Sequence, residues 1–296
     1  NGKISNEKMD DLCHTLKEFS QIMESYKVIA YKAYGTSAIR ETENTLILQD
    51  QIEQRTGIRV EILSNSEQRF LDYKSIASKG ETFRRIIEEK TAILDIGGGS
   101  IQISLFDKDT LVSTQNLRLG VLRLQELLNH LNAGSTQMEQ LVDELATAQL
   151  DDYKKLYLKD REIKNIIIVD DYLSPWAVRK AHERGEVNAV VDRKAFSQLM
   201  EALRTKGTTE LAKRMDIAEE KVPLVYISAI LTRRIAELMG AELVWAPGVT
   251  LCDGIAYEYA EQNKMFRGEH DFAEDIIACA LNISKRYNGS SKRADT

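Results

Sequence analysis

The chain has 296 residues, 43% of them hydrophobic and 29% charged, with a net charge of −6. That is room for two domains with cores of their own, and the acidic balance excludes nucleic acid as the main partner, since phosphate backbones want a basic stripe. No apolar run reaches the ~20 residues of a membrane span, so no membrane is expected.

The opening stretch "NGKISNEKMDDLCHTLKEF" runs from turn residues into a helix over residues 7–25, where Leu12, Leu16, Phe19, Ile22 and Met23 recur at helical spacing. "KVIAYKAY" (Lys27 to Tyr34) reads as a buried strand, and Gly35, Thr36 and Ser37 as a turn that caps a helix reaching Gly57. "IRVEIL" (Ile58 to Leu63) is the next strand, and Ser64 with Glu67 forms a capping box for a helix to Lys79. After the polar stretch "SKGETFRRIIEEK" come a strand from Ala92 to Asp95 and a hairpin, Ile101 to Phe106 and Leu111 to Leu117, turned by "DKD". Helices are predicted over 121–131, 135–157, 173–184, 193–205, 224–239 and 251–263, with strands at Asn165 to Asp171 and Ala241 to Pro247. The order implies an α/β protein with a mixed sheet. The charged, glycine-containing region 75–90 is the expected domain boundary. The last helix, Phe272 to Tyr287, has nothing after it to pack on, and both ends read as cut. Three distant cysteines (Cys13, Cys252, Cys279) argue against a disulfide framework, and four histidines show no metal-ligand spacing. A reduced, cytoplasmic setting is expected.

Two motifs carry chemistry. Asp95-Ile96-Gly97-Gly98-Gly99-Ser100 lies between two strands. Glycines let a backbone approach a ligand and turn N–H groups inward as an anion-binding concavity; Asp95, at a strand end, is placed to hold a divalent cation. The alternative is a flexible hairpin turn, though hairpins need only two turn residues. No helix follows the loop, so it is not the dinucleotide fingerprint. In "AYGTSAIRETEN", Thr36 and Ser37 offer hydroxyls and amides at a helix start, and Arg40 offers a bidentate contact; an ordinary capped surface helix would look the same.

Together with "GIRVEILSNSEQRFL", "LRLGVLRLQELL" and "GAELVWAPGVTLCDGIAYEY", these motifs stand in the order and spacing of the exopolyphosphatase / guanosine pentaphosphate phosphohydrolase (Ppx/GppA) family, of the actin-like, sugar-kinase-like ATPase superfold, which the chain resembles over most of residues 5–262. The resemblance implies two actin-like (ribonuclease H-like) domains, each a mixed sheet flanked by helices, with polyphosphate or a guanosine polyphosphate bound in an interdomain cleft. It implies domain I at residues 1–75, domain II at 76–262, and a linker with the first helix of a helical domain at 263–296. The family's N-terminal hairpin, with its first phosphate loop, would precede Asn1. The family removes a terminal phosphate with magnesium and a carboxylate-activated water. By resemblance Asp95 holds the metal, and Gly97, Gly98, Gly99, Ser100, Thr36, Ser37, Arg40 and Arg123 bind phosphate, with Gly120 in the matching loop beside Arg123. A homodimer is compatible with this reading.

The chain departs from the family where water is activated. The family's two glutamates fall on Gln68 and Gln102. A carboxamide has no useful basicity near neutral pH, although a glutamine can orient water. Glu67 adjoins Gln68, but one step along a helix turns a side chain by ~100°. After the strand "NIIIVDD", Asp170, Asp171 and Tyr172 replace a glycine-rich turn, and two carboxylates there are expected to repel a polyanion. "PLVYIS" (Pro223 to Ser228) replaces another small-residue stretch. The readings are therefore a weak or degenerate hydrolase with Gln68, Gln102 and Glu67 at the catalytic positions, or a non-catalytic sensor that binds polyphosphate or a nucleotide. A sugar-kinase-like phosphotransferase would need an adenosine pocket, and its glycines are absent after Val169. His270-Asp271 reads as chance and not as a metal site.

Overall fold

A computed structural model describes residues 2–131, 135–268 and 270–286. The chain packs as two compact units, Asn1–Leu71 and Asp72–Thr296.

In the first unit, α1 (Asn6–Ser25) and α3 (Thr45–Thr56) close over Met9, Cys13, Leu48, Ile52, Ile58 and Val60. Between them lie β1 (Tyr34–Gly35) and α2 (Ser37–Arg40), and β2 (Glu61–Ile62) pairs parallel to β1. The helix predicted from Ser37 to Gly57 is thus two helices. Thr45 Oγ bonds the Ile39 and Thr42 carbonyls at the break, Asn44 turns its side chain to the Ile4 backbone, and Gly57 ends α3 at φ 71°. Two sequence-based strands shrink. Of the predicted Lys27–Tyr34 strand only Tyr34 enters the ladder, and Ile29 is 99% exposed where burial was expected. Strand formation is a pairing event, and among the described residues the ladder continues upstream only through Glu61 N–H on the Ala33 carbonyl.

The helix α4 (Asn65–Ala77) carries the division between the units, and α5 (Glu81–Ile87) follows it in the second, burying Phe83 and Ile87 in a stretch read from sequence as merely polar. The sheet of the second unit has β3 (Thr91–Ile96) and β4 (Ile101–Asp107), then β5 (Thr110–Leu117), joined to β4 by a two-residue turn with Lys108 and Asp109 at φ 52° and 61°, the geometry of a type I′ hairpin. Helices α6 (Val121–His130) and α7 (Ser135–Tyr153) lead to β6 (Asn165–Asp170), α8 (Leu173–Glu183) and β7 (Val190–Val191). Then come α9 (Arg193–Thr205), α10 (Thr208–Met215), α11 (Val222–Met239), β8 (Leu243–Trp245), α12 (Leu251–Gln262) and α13 (Phe272–Arg286). Tyr287, the predicted end of the last helix, lies outside the described residues.

Strand order is β5-β4-β3-β6-β8-β7. The hairpin and β7 run antiparallel to their neighbours, and β3, β6 and β8 are parallel, so the sheet is mixed as expected. The parallel centre explains the unbroken apolar runs "AIL" and "III": strands covered on both faces do not alternate. Ala92, Leu94, Ile166 and Ile168 meet α6, α7 and α11 in one core.

Candidate functional site

The site builds from the end of β3. After Ile96 the chain turns through Gly97–Ser100, closed by Gly97 N–H on the Ser100 carbonyl at 3.0 Å. The first turn of α6 takes the loop's carbonyls. Gly97 O accepts from Val121 N–H at 3.0 Å and Gly98 O from Arg123 N–H at 3.1 Å, while Gly99 O accepts from the Arg123 side chain, Nε–H, at 3.0 Å. No peptide bond here is cis, and in a trans peptide the N–H points opposite to the preceding C=O. The N–H groups of Gly98, Gly99 and Ser100 are therefore turned away from α6, and they meet no acceptor among the described residues. Three N–H groups on one side of a short loop form an anion cradle.

The glycines serve this packing through space, not through left-handed backbone: none of Gly97, Gly98 and Gly99 has a positive φ. A Cβ at Gly98 would lie 2.8 Å from Leu122 Cδ1. At Gly120, just before α6, a Cβ would lie 2.1 Å from Gly99 C and 2.2 Å from Gly98 O. Only hydrogen fits there, because the helix must come close enough for its N–H groups to reach the loop.

Asp95 and Gln102 face each other as a cross-strand pair of β3 and β4. Gln102 is 4% exposed, and its Nε2 donates to Asp95 Oδ2 at 3.4 Å. Gln102 thus sets a neutral donor against the Asp95 carboxylate. Among the described residues no three His, Cys, Asp or Glu side chains converge on a metal position. A magnesium ion needs no such cage: it keeps most of its waters and takes one or two carboxylates plus phosphate oxygens. Asp95, a single carboxylate at the strand end beside the loop, fits that donor set.

At the same end of the sheet, Asp170 pairs with Ile96 across β6 and β3. Its carboxylate turns inward, 7% exposed, and accepts from Leu173 N–H (2.9 Å), Ser174 N–H (2.6 Å) and Ser228 Oγ–H (2.6 Å). Asp170 thereby caps α8 from below the surface. Asp171 lies nearer the surface, and partial burial first and the Asp170 charge second hold its pKa above the ordinary carboxylate value. Burial and the same two charges raise Tyr172. The "PLVYIS" stretch is the opening of α11, and Ser228 is there to meet Asp170.

The remaining predicted residues belong to the first unit. Thr36 precedes α2 without a side-chain cap bond, and α2 has only four residues. Arg40 reaches across its own unit, donating to the Leu63 carbonyl at 2.6 Å and to Asn65 Oδ1 at 2.5 Å. Glu67 completes the predicted capping box: Ser64 N–H donates to its Oε2 at 2.8 Å, and Glu67 N–H donates to Ser64 Oγ at 3.2 Å. The Ser64 hydrogen bonds hold its pKa below the ordinary carboxylate value, which makes it a weaker base. Gln68, half-buried, follows it on α4.

His270 proves to be structural. The ring, 6% exposed, lies between Asp109 Oδ1 (3.0 Å from Nδ1) and Asp275 Oδ2 (2.6 Å from Nε2), against Phe83 and Phe272.

Comparison with known proteins matches this architecture. The Ppx/GppA phosphatase family matches residues 1–263. Exopolyphosphatase 1 of Mycobacterium leprae is 33% identical over 104 residues, 35% of this chain and 29% of that protein, so the match spans under a third of that relative's length. An exopolyphosphatase structure from Cytophaga hutchinsonii superposes with a TM-score of 0.72 at 19% identity, covering 88% of this chain and 85% of its own. The Aquifex aeolicus Ppx/GppA family member gives 0.70 at 15% identity, covering 89% and 85%. These two show the fold, the actin-like α/β class expected. The chain belongs to the Ppx/GppA phosphatase family.

Proposed function

We propose that this chain is a phosphoanhydride hydrolase of the exopolyphosphatase / guanosine pentaphosphate phosphohydrolase type, acting on the terminal phosphate of polyphosphate or of guanosine penta- or tetraphosphate, with turnover held down by Gln68 and Gln102. The observation that carries it is the trio of outward N–H groups at Gly98, Gly99 and Ser100, with loop carbonyls bonded to α6. Such donors stabilise charge on a phosphoryl group and need no rearrangement when it reacts. Asp95 would hold the magnesium, whose chemistry is to neutralise charge on the phosphate oxygens. Gln102 can accept a hydrogen bond from water but cannot take its proton, and loss of a general base costs typically 10²–10⁴-fold in rate.

A second reading, a non-catalytic sensor of the same polyanions, is favoured by Gln102 donating to Asp95 and by the engagement of Glu67 in its capping box. One experiment separates them: phosphate release from polyphosphate and from pppGpp with magnesium, by the wild type and by Gln68→Glu plus Gln102→Glu. A rise of ~10²-fold in the double variant supports the impaired hydrolase. Wild-type turnover of a few per second or more refutes the role given to the glutamines. No turnover by either, with tripolyphosphate still bound, leaves the sensor; no binding at all removes the site.

A further inference from the structure

Three loop carbonyls are held against α6, but not in the same way. Gly97 O and Gly98 O are fixed by backbone donors, Val121 N–H and Arg123 N–H, which no side-chain change removes. The Gly99 carbonyl accepts from a side chain, Arg123 Nε–H at 3.0 Å, and Arg123 is exposed. The Gly99–Ser100 peptide is thus the one plane of the cradle whose orientation hangs on a side chain. Rotating it changes ψ of Gly99, which no Cβ restricts, and φ of Ser100, whose Cβ limits the rotation short of a full turn. Rotated out of line, it takes the Ser100 N–H off the anion and loses the attraction.

We propose that Arg123 is a positioning residue that acts on a bound phosphate through the loop: its Nε–H holds the Gly99 carbonyl and so keeps the Ser100 N–H pointed at the anion. This rests on the phosphate reading of the loop, and it replaces the direct phosphate contact that the family resemblance implies for Arg123. The two roles ask different things of the side chain. A direct ligand needs the positive charge, whereas a positioning residue needs only a donor within reach of the Gly99 carbonyl.

The full-length chain is compared with Arg123→Gln, which keeps a donor and drops the charge, and Arg123→Met, which drops both. Tripolyphosphate affinity is measured by calorimetry at low and moderate salt, with thermal midpoints to confirm folding. The expectation is a fall of about 10-fold for Arg123→Met, the order of one lost hydrogen bond to a charged group. Arg123→Gln should stay within about 3-fold of wild type, with a similar salt dependence. Equal losses in the two variants would overturn the proposal and make Arg123 a charge contact. A second readout uses no ligand: the Ser100 amide signal in nitrogen-15 spectra. It should shift or broaden in Arg123→Met and stay near its wild-type position in Arg123→Gln; an unmoved signal in Arg123→Met also overturns the proposal. If wild type binds no tripolyphosphate, the phosphate reading fails, and the Ser100 signal still decides whether Arg123 orients the loop.

Discussion

Two neighbouring strands of one sheet end in opposite ways. β3 and β6 run parallel with Ile96 beside Asp170, and each hands the chain on at the end where open α/β sheets bind ligands. After β3, donors of α6 are absorbed by the loop's carbonyls, which leaves the loop's own N–H groups outward. After β6, the amides at the start of α8 are absorbed by the Asp170 carboxylate, and none is left for a ligand. The difference lies in which groups the adjoining helix consumes. Loop amides stay open where the helix takes carbonyls and are closed where a side chain takes the helix's amides, so Asp170 acts on the start of α8 as a plug.

The largest effect should come from pulling that plug. Asp170→Ala leaves two amides and the Ser228 hydroxyl unmet in a buried place, and the loss of a cap plus unsatisfied groups should cost about 3 kcal/mol in chemical denaturation. If the loss is below about 1 kcal/mol, Asp170 is not the structural cap described. Next comes the other inward carboxylate system, His270 with Asp109 and Asp275. Burial works against the charged ring and the two carboxylates outweigh it, so its pKa stands above the ordinary value. The group therefore contributes fully below about pH 6.5, and the contribution fades as pH rises through the raised native value. His270→Gln should cost about 2 kcal/mol at pH 6, less at pH 9, and flatten the pH dependence of the thermal midpoint. A parallel offset at all pH values would mean that the ring is not charged.

Gly120→Ala tests the open side. A Cβ 2.1 Å from loop backbone must push the loop off α6, and tripolyphosphate affinity should fall about 10-fold, the order of one misdirected charge-assisted hydrogen bond. Gly98→Ala sharpens the contrast. Its new methyl meets Leu122, which is half exposed and can swing aside, so the loss should stay near 3-fold, a cost of about 0.7 kcal/mol. Similar losses in the two variants would mean that the loop tolerates or rejects bulk without regard to α6.

The sequence made the central sheet plain because β3, β6 and the hairpin carry their own evidence in apolar runs and a turn, and the glycine loop with Asp95 stood out between them. Gly120 and Arg123 were singled out only by family resemblance, and what they touch was not legible, because each meets a loop some twenty residues away, a contact no local pattern encodes. Asp170 looked like charge for the same reason: its partner Ser228 comes from α11. Short helices were missed where only a few side chains turn inward, as in α5, where Phe83 and Ile87 are the buried pair. The opposite error occurred at Val28–Ala33. Its residues have a strand's composition, but a strand also needs a neighbour to bond, and Val28 and Tyr31 remain about half exposed.

The contact of α13 with β5 bears on solubility. β5 is an outer strand of the six, and outer strands offer unpaired backbone groups to any passing chain. Here Leu111 N–H donates to Asp275 Oδ1 at 3.0 Å and the Val112 carbonyl accepts from Asn282 Nδ2 at 3.2 Å, so two polar groups of the hairpin edge are occupied by side chains of one helix. Removing α13 would bare a strand whose Leu111 is fully buried in the intact protein. Such a truncated chain should self-associate by edge-to-edge strand pairing, and the same helix that the His270 clasp fastens is thereby a guard against aggregation.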